Sequence, residues 1–477
     1  MRWMLLLGKV AALSGAIGTL CWGGVSLVRE FSARHDALVR VAIRLPQARE
    51  AARQAGLLSE EAPLAAPPPD ILDEDNAALL YEVIDAELRG RNEGKLPESK
   101  DLIAYTFPSR RNDRNRAAAR QLLQDHADVL QMATQAAEKP FCAFAIAPDA
   151  DLSVADNLFW TQYFLLDLTV AQAVLASEEQ RPLEALRLLE RALHIGRHIG
   201  ARGDLEGLAG QALGQHFVFR ILTSVLRENE DRVDKMAVGV TRLLDEPAIT
   251  VSSVRARLAP ATALAQRRVQ EWRQKPFSTD ETEALLEYNR VWRTLYDLDR
   301  YLGRQEWTDG TETLMLEYVT GLSRALDTVQ ASGHMYDAWS TLRDTDIAFR
   351  KRYEGVVPQR ALPSRMVYTL ESVMDADCHR ALARATFRLL LAQKNTGVLP
   401  ESIPGPPIPD PFSPDQGPLR LVRNEEGEPV LYSVGENGTD EGGSRQRAPG
   451  RTRGPAEDVC VVFPAPDPVT LLDEFAE

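Results

Sequence analysis

From Ile71 to about Gln393 the apolar positions recur with the period of an amphipathic helix. The clearest stretch lies between Asn157 and Gly200. Leu158 to Ala176 is apolar on most sides, which predicts a helix buried all round. Glu178-Glu179-Gln180-Arg181-Pro182 makes a turn, and Pro182 suits the first position of a new helix. Leu188, Ala192, Ile195 and Ile199 then fall at i, i+4, i+7 and i+11, a continuous stripe that Leu186, Leu189 and Leu193 widen. A third helix starts near Asp204 and carries Leu205, Leu208, Leu213, Phe217 and Ile221. Upstream, Asp73 or Asp75 is placed to cap a helix bearing Ala78, Leu79, Tyr81, Val83, Ile84 and Leu88.

The pattern changes after Pro404. Gly405-Pro406-Pro407-Ile408-Pro409 is a rigid extended lead. Leu419–Arg423 and Val430–Ser433 predict a hairpin around Asn424-Glu425-Glu426-Gly427, and Val459–Phe463 a third strand. Ser444 to Pro455, rich in Arg, Pro and Gly, reads as disordered, and residues 467–477 as an acidic tail.

The other end is apolar without interruption. Val10 to Val28 holds 19 residues and no charge. At about 1.5 Å per residue this nearly spans a bilayer core of about 30 Å. Trp3 and Trp22 suit the two interfaces. The run exceeds a signal-peptide core of about 7–15 residues, so it reads as an uncleaved anchor. Leu20 before Cys21 departs from a lipoprotein signal. Arg2 and Lys9 favour a cytoplasmic N-terminus, with the soluble part outside the cytoplasm; Arg29, Arg34, Arg40 and Arg44 weaken that bias. Leu38 to Gly56 continues as a charged helical stalk, and the three prolines Pro67-Pro68-Pro69 stiffen a linker behind it.

The expected architecture is mainly α. A transmembrane anchor occupies residues 1–33, and a stalk and linker 34–70. A solenoid-like domain of helical hairpins follows over 71–394, then a small antiparallel β module over 395–466 and the tail. Arg91-Asn92-Glu93-Gly94-Lys95-Leu96-Pro97-Glu98-Ser99 matches Lys394-Asn395-Thr396-Gly397-Val398-Leu399-Pro400-Glu401-Ser402. In each, Asn and Gly predict a left-handed helix end before an extended Leu-Pro.

Two resemblances follow. Asp410-Pro411-Phe412-Ser413 with Tyr432-Ser433-Val434-Gly435 and the acidic loop behind them resembles the C-terminal part of type II secretion major pseudopilins. That likeness, over about residues 395–465, implies a calcium site, with Asp440 and Asp458 as first ligands and Asn437 and Glu441 behind them. Calcium takes about six to eight oxygens from such groups. The insertion Ser444–Pro455 departs from that family, as does the first helix, which lacks the pseudopilin processing signature. Glu184 to Leu193 is similar to the second helix of a tetratricopeptide repeat, a likeness confined to the hairpin over 157–200.

Other chemistry is sparse. A formal net charge of −14 argues against a nucleic-acid partner. The basic run Arg110–Arg116 reads as a solvated loop entering a helix. The 4 cysteines share no metal-binding spacing. His194 and His198 stand one turn apart, but neighbouring arginines oppose a cation, so they read as polar helix positions. Cys378 and His379, adjacent on a helix, diverge. The resulting expectation is an anchored envelope protein that binds or scaffolds a protein partner, alongside a secretion or pilus-like assembly. The alternatives are an enzyme with its site between helical hairpins, or a helical adaptor unrelated to secretion.

Overall fold

The structure, a computed structural model, describes residues 36–37, 39–58, 71–98, 100–107, 111–143, 152–274, 306–330, 333–353, 365–424, 427–435, 438–440, 442–443 and 459–463. The anchor, Val10–Val28, lies outside them, as do the proline linker, the Ser444–Pro455 insertion and the acidic tail. The described chain is mainly helical with one small antiparallel sheet. It divides into two compact units, one of Met1–Ala62, Ala261–Ala325 and Leu342–Ser364, the other of Pro63–Pro260, Leu326–Thr341 and Arg365–Glu477.

In chain order the helices are α1 (Leu45–Gln54), α2 (Ala77–Arg91), α3 (Lys100–Thr106), α4 (Asp113–Asp125), α5 (Ala127–Ala137), α6 (Leu152–Glu178) and α7 (Pro182–Gly200). There follow α8 (Leu205–Glu228), α9 (Val233–Leu244), α10 (Val251–Ala256), α11 (Leu258–Gln274), α12 (Glu306–Val329), α13 (Met335–Arg352) and α14 (Arg365–Thr396). Strands β1 (Arg420–Arg423), β2 (Pro429–Ser433) and β3 (Val459–Val462) form a sheet in the order β1-β2-β3.

In the first unit the expected helical stalk is helical over Leu45–Gln54 and packs on its neighbours. Leu45, Ala48 and Ala52 are buried on one face of α1. Arg49 forks onto Glu312 of α12 through Nε (2.8 Å) and Nη2 (2.9 Å), and Glu312 is only 1% exposed. A two-point guanidinium–carboxylate contact fixes orientation as well as distance. Tyr353 donates to Glu317 at 2.7 Å, and Arg44 reaches both. The helical region read as one domain over 71–394 is therefore shared between the two units.

In the second unit α6, α7 and α8 pack in succession, and α14 lies along α8. The predicted stripe of α7 is its core face, with Leu188, Ala192, Ile195 and Ile199 all buried. Among the described residues one helix, Asn157–Glu178, is long and apolar enough to cross a bilayer. Of its most apolar window 78% is buried within protein, as its all-round apolar pattern predicts for a core helix. Glycines let α7 and α8 approach closely. A Cβ on Gly207 would stand 2.7 Å from the Ile199 carbonyl oxygen, and one on Gly214 3.3 Å from Cα of Gly196.

The helix ends follow local chemistry. Asp204 caps α8 by accepting from the Gly207 amide at 2.8 Å. The cap of α2 is Asn76, not Asp73 or Asp75. Its side chain accepts from Ala78 N, while the two aspartates sit in a preceding 3-10 turn. Both copies of the repeated terminator place glycine at positive φ, +84° at Gly94 and +79° at Gly397, where a Cβ would be strained.

The hairpin pairs Leu421 with Leu431 and Val422 with Val430, and β3 pairs Val461 with Leu431. Val430 and Tyr432 form a small core with Val422 against it, and β2 packs on α14.

Candidate functional site

Three polar regions of the second unit stand out, two of them at sites singled out in the sequence. The first joins the two C-terminal motifs. Asp410 is 1% exposed. Its Oδ1 accepts from the Ser433 hydroxyl at 2.6 Å and from the Phe412 amide at 3.0 Å, and its Oδ2 accepts from the Val434 amide at 2.9 Å. A buried carboxylate is tolerable only when donors surround it, and three do so here. Ser433 also touches the buried thiol of Cys378 on α14, whose pKa burial drives well up. The Asp-Pro turn, the end of β2 and the long helix thus meet at one carboxylate.

The acidic loop lies just beyond. Asp440 is the one expected calcium ligand within the described residues; Asn437, Glu441 and Asp458 lie outside them. The carboxylate of Asp440 accepts from the Tyr432 hydroxyl at 3.0 Å and from the Gly442 amide at 2.9 Å, and faces Arg420 Nε at 3.4 Å. A cation arriving there would compete with the Arg420 guanidinium for the same oxygens. Among the described residues no three His, Cys, Asp or Glu side chains gather as a metal site.

The histidine pair on α7 is structural. His194 Nδ1 lies 3.0 Å from the carbonyl of Ala137, and His198 Nε2 lies 3.1 Å from that of Lys139. His198 Nδ1 accepts from the buried Tyr81 hydroxyl at 3.0 Å. This assigns the His198 proton to Nε2. Burial pushes its pKa down to about 4. The two side chains satisfy carbonyls at the end of α5 and just beyond it, which the i, i+4 spacing alone does not reveal.

The third region was not legible in the sequence. Cys378 and His379 do diverge, and His379 meets His216 of α8, ring centroids 4.5 Å apart and edge to face. One turn along α8, Arg220 lays its guanidinium over Phe107, 3.9 Å from the ring centroid, with Phe217 at 5.2 Å. Its Nη2 donates to the Thr106 hydroxyl at 3.2 Å, and its Nε is buried without a hydrogen-bond partner. His216, Arg220 and His379 are ringed by protein, yet each keeps part of its surface open. Burial, with the Arg220 charge adding to it, pushes His216 down to about 3 and His379 well below its ordinary range. Burial and then the nearby Arg111 bring Arg220 down to about 10. Arg111 itself pairs with Glu228, so the basic run is not purely solvated. The visible sequence signal was His216 and Arg220 at i, i+4 on one helix. The missing half was the tertiary partner on α14.

No protein-family model, no curated protein and no solved structure matches this chain.

Proposed function

We propose that this chain is a membrane-anchored envelope protein whose helical body and C-terminal β module bind or scaffold a protein partner. The assembly it serves is of the secretion or pilus-like kind. The observation that carries the reading is the Asp410 junction. The two segments that resemble a pseudopilin, Asp410–Ser413 and Tyr432–Gly435, are bound to each other through one buried carboxylate. Tyr432 and Ser433 end β2, the strand that packs on a 32-residue helix. A small module held so firmly presents its loops from a rigid base, which lowers the ordering cost of binding. The charge-free run Val10–Val28 supports the anchor, and the −14 net charge supports a protein over a nucleic acid as partner.

A second reading, an enzyme with its site between helical hairpins, is favoured by the meeting of His216, Arg220 and His379, polar groups of α8 and α14, in one partly buried place.

The anchor has a direct test. Membranes from cells making the full chain are washed with alkaline carbonate, and the N-terminus of the mature protein is mapped. The chain is expected to stay with the membrane pellet and to keep residues 10–28. A mature N-terminus beyond Ala33, or release of the chain into the wash, contradicts the anchor.

A further inference from the structure

The first unit carries a basic face in an acidic protein. Between residues 37 and 48 the charged side chains are Arg40 and Arg44, with no carboxylate among them. Ile43 stands between the two, at the turn into α1, and is 70% exposed. The fold brings more positive charge to the same place. The Arg44 guanidinium lies 5.9 Å from the centre of the Tyr353 ring, and that of Arg352 lies 5.3 Å from it. One aromatic ring thus holds two cationic heads. Lys351 and Arg352 belong to the last turn of α13. The neighbouring carboxylates are already engaged. Glu317 takes Tyr353 and Arg44, and Asp346 takes Arg350 and Tyr318. Arg40, Lys351 and Arg352 are exposed, and among the described residues none of the three is paired with a carboxylate.

We propose that this face docks on the anionic lipid headgroups of the membrane that holds the anchor. Arg40, Arg44, Lys351 and Arg352 meet the headgroups, and Ile43 enters the interfacial layer. Position and charge carry the choice. From Val28, the end of the apolar run, to Asp36 is eight steps of chain, at most about 29 Å when fully extended. Arg40, Ile43 and Arg44 follow directly, so an anchored chain keeps this face close to the bilayer surface. An anionic surface repels a chain of net charge −14 as a whole and attracts its basic face, which turns that face toward the lipid. Each Lys or Arg near such a surface strengthens binding by about fivefold. An exposed isoleucine flanked by arginines suits the boundary itself, with the apolar group in the acyl region and the charged heads in the headgroups. The inference rests on the anchor reading for its tether, and deepens it by giving the first unit a fixed face toward the bilayer.

The test uses the full chain in nanodiscs of phosphatidylcholine alone and of equal parts phosphatidylcholine and phosphatidylglycerol. A water-soluble amine reagent footprints the lysines, with the exposed Lys100 of the second unit as internal reference. Relative to Lys100, Lys351 is expected to react about fivefold more slowly in the anionic discs than in the neutral ones. Added salt is expected to restore its rate. So is Arg40→Gln combined with Arg352→Gln, which spares Arg44 and its bonds to Tyr353 and Glu317. Co-elution with the neutral discs reads the anchor separately. A chain that misses them has no anchor, and a slowed Lys351 on the anionic discs then still upholds the lipid face. Equal Lys351 rates in the two lipids, or a slowing that survives the double substitution, overturns the proposal. Protection in native membranes but in neither lipid marks a protein partner and overturns it too.

Discussion

Asp410→Asn lowers the stability of the C-terminal module by about 1–3 kcal/mol, the cost of leaving a buried donor of its pocket without an acceptor. The substitution is isosteric, so packing around Phe412 and Leu431 is unchanged. What changes is the acceptor count. Oδ1 and Oδ2 both accept, from the Ser433 hydroxyl and the Phe412 amide on one side and the Val434 amide on the other. An amide nitrogen in place of either oxygen faces a donor with a donor. Hydrogen exchange at the Phe412 and Val434 amides measures the effect locally, and urea unfolding measures it globally. Faster exchange at both amides and a lower urea midpoint are expected. An unchanged midpoint would mean that the pocket selects Asp410 for its shape alone.

The second large effect is with acid. His198 is buried and 5% exposed, and its folded pKa is about 4 against an ordinary 6.5. Above pH 6.5 it is neutral folded and unfolded, and its contribution is fully present. As pH falls from 6.5 toward 4 the unfolded chain takes a proton that the folded chain refuses, so stability is lost. At 1.36 kcal/mol per unit this is about 3 kcal/mol from His198. His216, with a folded pKa of about 3, and His379 add in the same direction. Asp377 opposes them. Burial raises it to about 6, so the folded state takes that proton first and offsets about one histidine. The net result is a urea midpoint that falls steadily from pH 6.5 to 4, before most carboxylates titrate. His216→Gln makes the slope shallower by one proton. A midpoint flat over that window would contradict the buried, neutral state of these rings.

What the sequence made legible was periodic or local. The stripe Leu188, Ala192, Ile195 and Ile199 is a repeat within one helix, so burial followed from spacing. The three strands fell within a residue of their expected bounds because turn residues mark their ends. The sequence does not single out the cap of α2, because Asp73, Asp75 and Asn76 are all good caps. The choice fell to Asn76, whose φ of −99° and ψ of 113° leave the helix there. Pairings across the chain left no such mark. Arg49 and Glu312 are ordinary surface residue types in sequence, and only the fold joins them. The same holds for His216 and His379. Asp410 and Ser433 lie within the two C-terminal motifs, but their bond is a fact of the turn's geometry, not of the motif's letters.

The scaffolding account is tested most directly by the size of the particle that carries this chain. Cells making the full chain are cross-linked, their membranes solubilised in mild detergent, and the extract fractionated by size for wild type and for Asp410→Asn. The account predicts that the wild-type chain elutes in a complex with a second membrane or envelope protein, and that loosening the β module by Asp410→Asn shifts it toward the single chain. Elution of the wild-type chain at the mass of one copy in its detergent micelle, with no cross-linked partner, would contradict it.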